Sequence, residues 1–217
     1  MAEVFDCADE QGRATGIASA VSAVKGGRLV VLPTDTVYGI GADAFDGAAV
    51  AALLSAKGRG RDMPVPVLVG SWHTIDGLVY TVPPSARELI RAFWPGALSL
   101  VVRQAPSLQW DLGDAHGTVM LRMPLHPVAI ELLSQVGPMA VSSANISGRP
   151  AATTVEEARA QLGDLVEVYL DAGPSAQQAA STIVDLTGAQ PKVLRHGPVT
   201  VEAIAEVLGL DAATLTD

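Results

Sequence analysis

Apolar positions along this chain fall into two kinds of short pattern, one at helical spacing and one in continuous runs. Ile17, Ala18, Val21 and Val24 recur at helical spacing and end before Gly26-Gly27, which predicts an amphipathic helix over residues 14–25. Leu29 to Leu32 is an unbroken apolar run stopping at Pro33, which cannot donate to a sheet ladder, so it reads as a buried strand. Asp46 stands as an N-cap ahead of a helix over 47–56, with Val50, Leu53 and Leu54 inward. Pro64 and Pro66 bracket the start of a short strand at 67–69. Pro83-Pro84 opens a helix over 83–93 whose Leu89, Ile90 and Phe93 share a face, and Trp94-Pro95-Gly96 stops it. Further strands are predicted at 97–102, 118–123, 139–141, 166–170, 182–186 and 193–195, and further helices at 128–136, 154–162 and 200–208. Residues 104–117 lack periodicity and read as a long loop able to order over a ligand.

Strands and helices alternate for most of the length, which predicts an α/β sheet with helices packed on it. No linker, internal repeat or low-complexity tract divides the chain, so one domain is expected. Its bounds are residues 14–208, between an N-terminal segment (1–13) and a C-terminal tail (209–217).

Polar chemistry begins where the first buried strand ends. Thr34, Asp35, Thr36 and Tyr38 place three hydroxyls and a carboxylate within five residues, followed by Gly39 and Gly41. Such a stretch is either a strand end capped by turn chemistry or a ligand-binding loop at the carboxyl end of a strand. Its glycines fit a permissive G-x-G-x-x-A pattern, but they do not join a strand to a helix. Lys57-Gly58-Arg59 also stands where a dinucleotide fold would carry its ribose-binding acid. No Walker P-loop is present. Ser142 and Ser143 follow a strand but lack the flanking glycines of a nucleophile elbow, so they read as turn residues or as phosphate-holding hydroxyls.

Composition narrows the chemistry. With 49% hydrophobic and 17% charged residues over 217 positions, the chain is globular. It has no run long enough for a membrane helix, and its acidic N-terminus differs from a secretory signal, so a cytoplasmic protein is expected. A single cysteine, Cys7, and four scattered histidines offer neither a disulfide nor a protein-ligated metal site. The net charge of −9 argues against broad nucleic-acid binding. Against only 14 Lys and Arg, the cluster Lys57, Arg59, Arg61 stands out. Arg122 and Arg195 each fall at a strand end. An acidic protein that gathers scarce cations at strand ends suits a polyanion such as a nucleoside triphosphate.

Seven segments in order resemble the YrdC-like threonylcarbamoyl-AMP synthases: 33–41 (PTDTVYGIG), 57–59 (KGR), 94–99 (WPGALS), 118–124 (TVMLRMP), 142–148 (SSANISG), 181–185 (STIVD) and 194–195 (LR). The resemblance runs from about residue 14 to 208 and is to the single-domain type, without the second domain of longer members. It implies a twisted mixed sheet with flanking helices around a positively charged concave cavity. It implies a nucleotidyltransferase that joins L-threonine, bicarbonate (or CO2) and ATP, with Mg2+ accompanying the ATP. The products are threonylcarbamoyl-AMP and pyrophosphate, the former destined for N6-threonylcarbamoylation of tRNA adenosine 37 by a downstream transferase complex. Carried over position by position, Thr36, Arg122, Val141 and Ser181 are implied for threonine. Lys57, Arg59, Thr118, Ser143, Asn145, Ala151 and Arg195 are implied for ATP, with Lys57 and Arg59 as the catalytic cations. Met63 stands where many members have Asn and Gly60 where many have Pro, which makes Arg61 the candidate substitute in the nucleotide site. Because the same fold is associated with RNA binding, a module contacting tRNA or duplex RNA without synthase activity is the alternative reading.

Overall fold

The central hairpin of the sheet explains why residues 29–32 are apolar without a break. In the computed structural model, which describes residues 2–216, strand β2 (Val30–Leu32) pairs antiparallel with β3 (Gly39–Asp43). Val30 and Leu32 face one hydrophobic core while Val31 faces the other, so the strand is buried on both sides and every position is apolar. Met1 and Asp217, the ends of the expected N-terminal segment and tail, lie outside the described residues.

The other strands are β1 (Glu3–Asp6), β4 (Val67–Leu68), β5 (Leu98–Arg103), β6 (Thr118–Arg122), β7 (Met139–Ser143), β8 (Val168–Asp171), β9 (Thr182–Asp185) and β10 (Lys192–Arg195). They form one mixed sheet in the order β1-β8-β2-β3-β7-β4-β6-β5-β9-β10. Helix α1 (Glu10–Lys25) and helix α5 (Pro127–Val136) cover one face of part of the sheet, through Ile17, Ala20, Leu132 and Leu133. Helices α2 (Gly47–Ala56), α3 (Ile75–Leu78), α4 (Pro84–Phe93), α6 (Val155–Leu162) and α7 (Val201–Leu208) contribute to the larger core on the opposite face. Among the described residues no helix is long and apolar enough to cross a membrane.

Two expectations change. The first helix begins at Glu10, capped by Asp9, whose side chain accepts from the Gly12 N–H; the polar first turn hides this start from a hydrophobic pattern. Cys7 is buried, and desolvation pushes its thiol up to about 11. Gly39 and Gly41 lie inside β3, so they do not form a turn. A Cβ on Gly39 would stand 2.6 Å from Val141 Cγ1, and one on Gly41 2.8 Å from Met139 Cε. The glycines let the β7 side chains lie across β3.

Candidate active site

Beyond the area that α1 and α5 cover, the sheet face is open, and strand alternation decides what it shows. Leu98 and Leu100 of β5, and Val119 and Leu121 of β6, point into the larger core. The intervening Ser99, Met120 and Arg122 therefore face the other way. Together with Gly39, Val141, Leu68 and Ile183 they line a cavity of about 270 Å3, with Thr34, Thr36, Arg59, Ser142, Ser143, Ala151, Ser181 and Arg195 around it. The expected crevice at the strand ends is thus a concave sheet face, walled by strand-end loops.

One wall is the Thr34–Tyr38 loop, tied to β6 through Arg122. The buried guanidinium donates from Nε to Gly96 O (2.9 Å), from Nη1 to Thr36 Oγ1 (2.8 Å) and from Nη2 to Asp35 Oδ1 (2.5 Å). Gly96 belongs to the turn that ends α4, so the Trp94-Pro95-Gly96 stop supplies one of the three points that orient the arginine. Asp35 also accepts from the Leu125 N–H (2.9 Å). Burial pulls the Arg122 pKa down and the Asp35 carboxylate opposes this, so the ion pair keeps the cation charged in a desolvated place. Of its five N–H groups, three are held by the protein and two are left for a ligand.

The second wall follows α2. Arg59 reaches Ser142 Oγ (3.2 Å) and Pro64 O (3.4 Å), and its Nε is buried with no partner. A buried donor left unsatisfied is costly, which suits an anion completing this place. Lys57 sits differently from its expected role on phosphates. Its ammonium donates to Ser143 O (2.5 Å), Asn145 O (2.7 Å) and Asn145 Oδ1 (3.3 Å), and it does not line the cavity. Desolvation, helped by the neighbouring Arg59 charge, lowers its pKa to about 8. Asn145 is likewise buried beneath the loop, donating to Ile146 O and Arg149 O. Both residues build the loop that presents Ser142 and Ser143.

The third wall is β9 and β10. Arg195 donates to Ser181 O (2.9 Å) and Ser181 Oγ (3.1 Å), and Ser181 Oγ lies 2.8 Å from Ser99 Oγ. One serine must donate to the other, so a single hydroxyl proton of the pair is left over. The sequence pattern gave Ser99 no role, yet the signal was present: it is the polar position between two inward leucines. Asp35 went equally unassigned, although it lies between two threonines that face the cavity.

Two further residues depart from expectation. Thr118 is on the same face of β6 as Arg122 but about 13 Å away along the strand. Its hydroxyl donates to Ala115 O (2.7 Å), and it borders a side slot of about 130 Å3 that shares Pro64 and Met120 with the main cavity. Arg61 is outside the cavity, held bidentate by Asp111 (2.8 and 2.9 Å) and close to Asp114 (3.4 Å). The loop 104–117 that provides these acids has Leu112 buried and is pinned by the Val65 N–H to Leu112 O; it forms the wall of the slot and not a cover. Among the described residues no group of three His, Cys, Asp or Glu side chains gathers, so the donor set does not suit a protein-held Mg2+.

Comparisons with known proteins agree with this architecture. The Sua5/YciO/YrdC family model, described as "Telomere recombination", matches residues 22–197. A relative from Mycobacterium tuberculosis (strain H37Rv), provisionally named a threonylcarbamoyl-AMP synthase, is 80% identical over 215 residues, covering 99% of each chain. The structure of P. abyssi Sua5 complexed with L-threonine superposes with a TM-score of 0.91 at 33% identity, over 95% of this chain and 61% of that one. E. coli YciO shares the fold, with a TM-score of 0.83 at 24% identity over 94% of this chain and all (100%) of that one. On the family match and the near-complete overlap with its relatives, the chain belongs to the Sua5/YciO/YrdC family.

Proposed function

We propose that this protein is an L-threonylcarbamoyladenylate synthase, using L-threonine, bicarbonate or CO2, and ATP. The observation that carries the reading is Arg122, a buried cation fixed at three points and presenting its two remaining N–H groups beside Thr36, in a cavity that also holds Arg59 and Arg195. Such a fork suits the amino-acid carboxylate. The other two arginines suit the phosphates of a nucleotide.

The chemistry needs no covalent nucleophile. Threonine's amine attacks CO2, forming an N–C bond and losing a proton to give a carbamate. A carbamate oxygen then attacks the α-phosphorus of ATP, an O–P bond forms, and the bond to pyrophosphate breaks. Both reactants are anions, so the task of the protein is to neutralise and align them. Thr36, Arg122, Val141 and Ser181 define the amino-acid end. Arg59, Ser143, Ala151 and Arg195 define the nucleotide end, Lys57 and Asn145 shape its loop, and Thr118 borders the adjoining slot. Mg2+ would come with the triphosphate and shield its charge.

The product would pass to a tRNA threonylcarbamoyl transferase acting at adenosine 37, in the cytoplasm where both ATP and tRNA are available. Nothing in the comparisons favours the RNA-binding alternative. The test is pyrophosphate release from ATP and bicarbonate with L-threonine, with L-serine and with no amino acid. Release should require an amino acid and be fastest with threonine; release indifferent to threonine overturns the assignment.

A further inference from the structure

The hydrogen-bond partners in the Thr34–Tyr38 loop fix which way the Thr36 hydroxyl points. Thr34 Oγ1 lies 2.6 Å from Val37 O. A carbonyl oxygen only accepts, so the single Thr34 hydroxyl proton is spent there. Thr34 Oγ1 also lies 3.0 Å from Thr36 Oγ1 and 3.2 Å from the Thr36 N. With its proton committed, Thr34 can only accept in both contacts, so Thr36 donates its hydroxyl proton to Thr34. Both lone pairs of Thr34 are then filled. Thr36 Oγ1 in turn accepts from Arg122 Nη1 at 2.8 Å, which leaves it one lone pair and no proton. Thr34 and Thr36 are 3% and 1% exposed, so no bulk water offers an alternative partner that would scramble this order.

We infer that Thr34 is a positioning residue that locks Thr36 as an obligate acceptor, so that Thr36 takes an N–H or O–H of the bound amino acid and rejects its carboxylate. This rests on the proposed use of L-threonine. It sets the polarity of the amino-acid end: the carboxylate goes to the free N–H groups of Arg122, and the amine or β-hydroxyl goes to Thr36. Misplaced carboxylates meet a lone pair there. Sites that pair with a specific ligand hydrogen discriminate strongly because the mismatched group is left unpaired.

The experiment is calorimetric titration of L-threonine and, separately, of ATP into the intact protein and its variants. Wild-type protein that binds no threonine would sink the proposed function and is recognisable as that failure. Given wild-type binding, Thr34→Val should weaken threonine about 10-fold or more while ATP affinity stays within about 2-fold, and Thr34→Ser should stay within about 3-fold of wild type. The double variant Thr34→Val/Thr36→Val should be no weaker than Thr36→Val alone, because Thr34 acts through Thr36. Additive losses, or equal losses for ATP, overturn the inference. Neutron diffraction of the deuterated wild-type protein reads the same claim without a substitution. The Thr36 deuteron should lie toward Thr34 Oγ1, and a deuteron directed into the cavity contradicts it.

Discussion

Lys57 and Arg59 are two positions apart and do opposite things, and the residue between them is the reason. Gly58 has φ of 59°, the left-handed conformation that ends α2, so the chain reverses there and the two side chains diverge. The K-x-R spacing makes a cation pair legible but not this reversal, which is why Lys57 was expected on phosphates. Its depressed pKa has a consequence for stability. Below about pH 8 Lys57 is protonated in both states, and between about 8 and 10.5 only the unfolded chain keeps the proton. Unfolding free energy should therefore rise with pH across that window by about 1–3 kcal/mol from this group. Urea denaturation of wild type and Lys57→Met at pH 7.5 and 10 should show the slope lost in the variant; equal slopes would mean the ammonium is not desolvated. Arg61 gives the contrasting prediction. Because Arg61 is an exposed partner of Asp111 and Asp114, its replacement by alanine should leave the unfolding midpoint nearly unchanged, and ATP use should change less than about 2-fold. A large rise in the ATP KM of Arg61→Ala would restore it to the nucleotide site.

At the scale of elements, β3 shows what a hydrophobic pattern cannot reveal. Gly39-Ile40-Gly41-Ala42-Asp43 has poor strand propensity and was read as a loop, yet it is a central strand paired on both sides. Tertiary packing overrides propensity here, because Val141 and Met139 occupy the space where side chains would be. β1 was missed for a different reason: as an edge strand it is mostly exposed, and its sequence is too polar to register. Helices α2 and α4 and strands β6 and β9, whose apolar positions follow a plain helical or strand pattern, were legible to within a few residues. The β3 packing predicts that Gly39→Ala will destabilise the protein by about 1–3 kcal/mol, since the new Cβ must push Val141 away. Adding Val141→Ala in the Gly39→Ala background should recover part of that loss, as measured by thermal or chemical unfolding. No recovery would mean the strain lies in the backbone and not in this contact.

Over the whole molecule, three arginines meet on one face of an acidic chain. A chain of net charge −9 confines Arg59, Arg122 and Arg195 to one concave face, where Asp35 is the acid that pairs with a cavity arginine. Scarcity made this legible in the sequence: few cations, falling at strand ends, implied an anion site before any geometry was known. What the sequence could not supply was strand order, and it is the order β3-β7-β4-β6-β5-β9 that brings Thr36, Arg122, Ser181, Arg59 and Ser143 around one cavity. The proposed division of this cavity into an amino-acid end and a nucleotide end is the claim specific to these residues. Steady-state kinetics of Arg122→Ala and Arg59→Ala, varying threonine and ATP separately, test it most directly. Arg122→Ala should raise the threonine KM at least about 10-fold with little effect on ATP, and Arg59→Ala should do the reverse. Equal effects of either variant on both substrates would contradict a cavity with an amino-acid end and a nucleotide end.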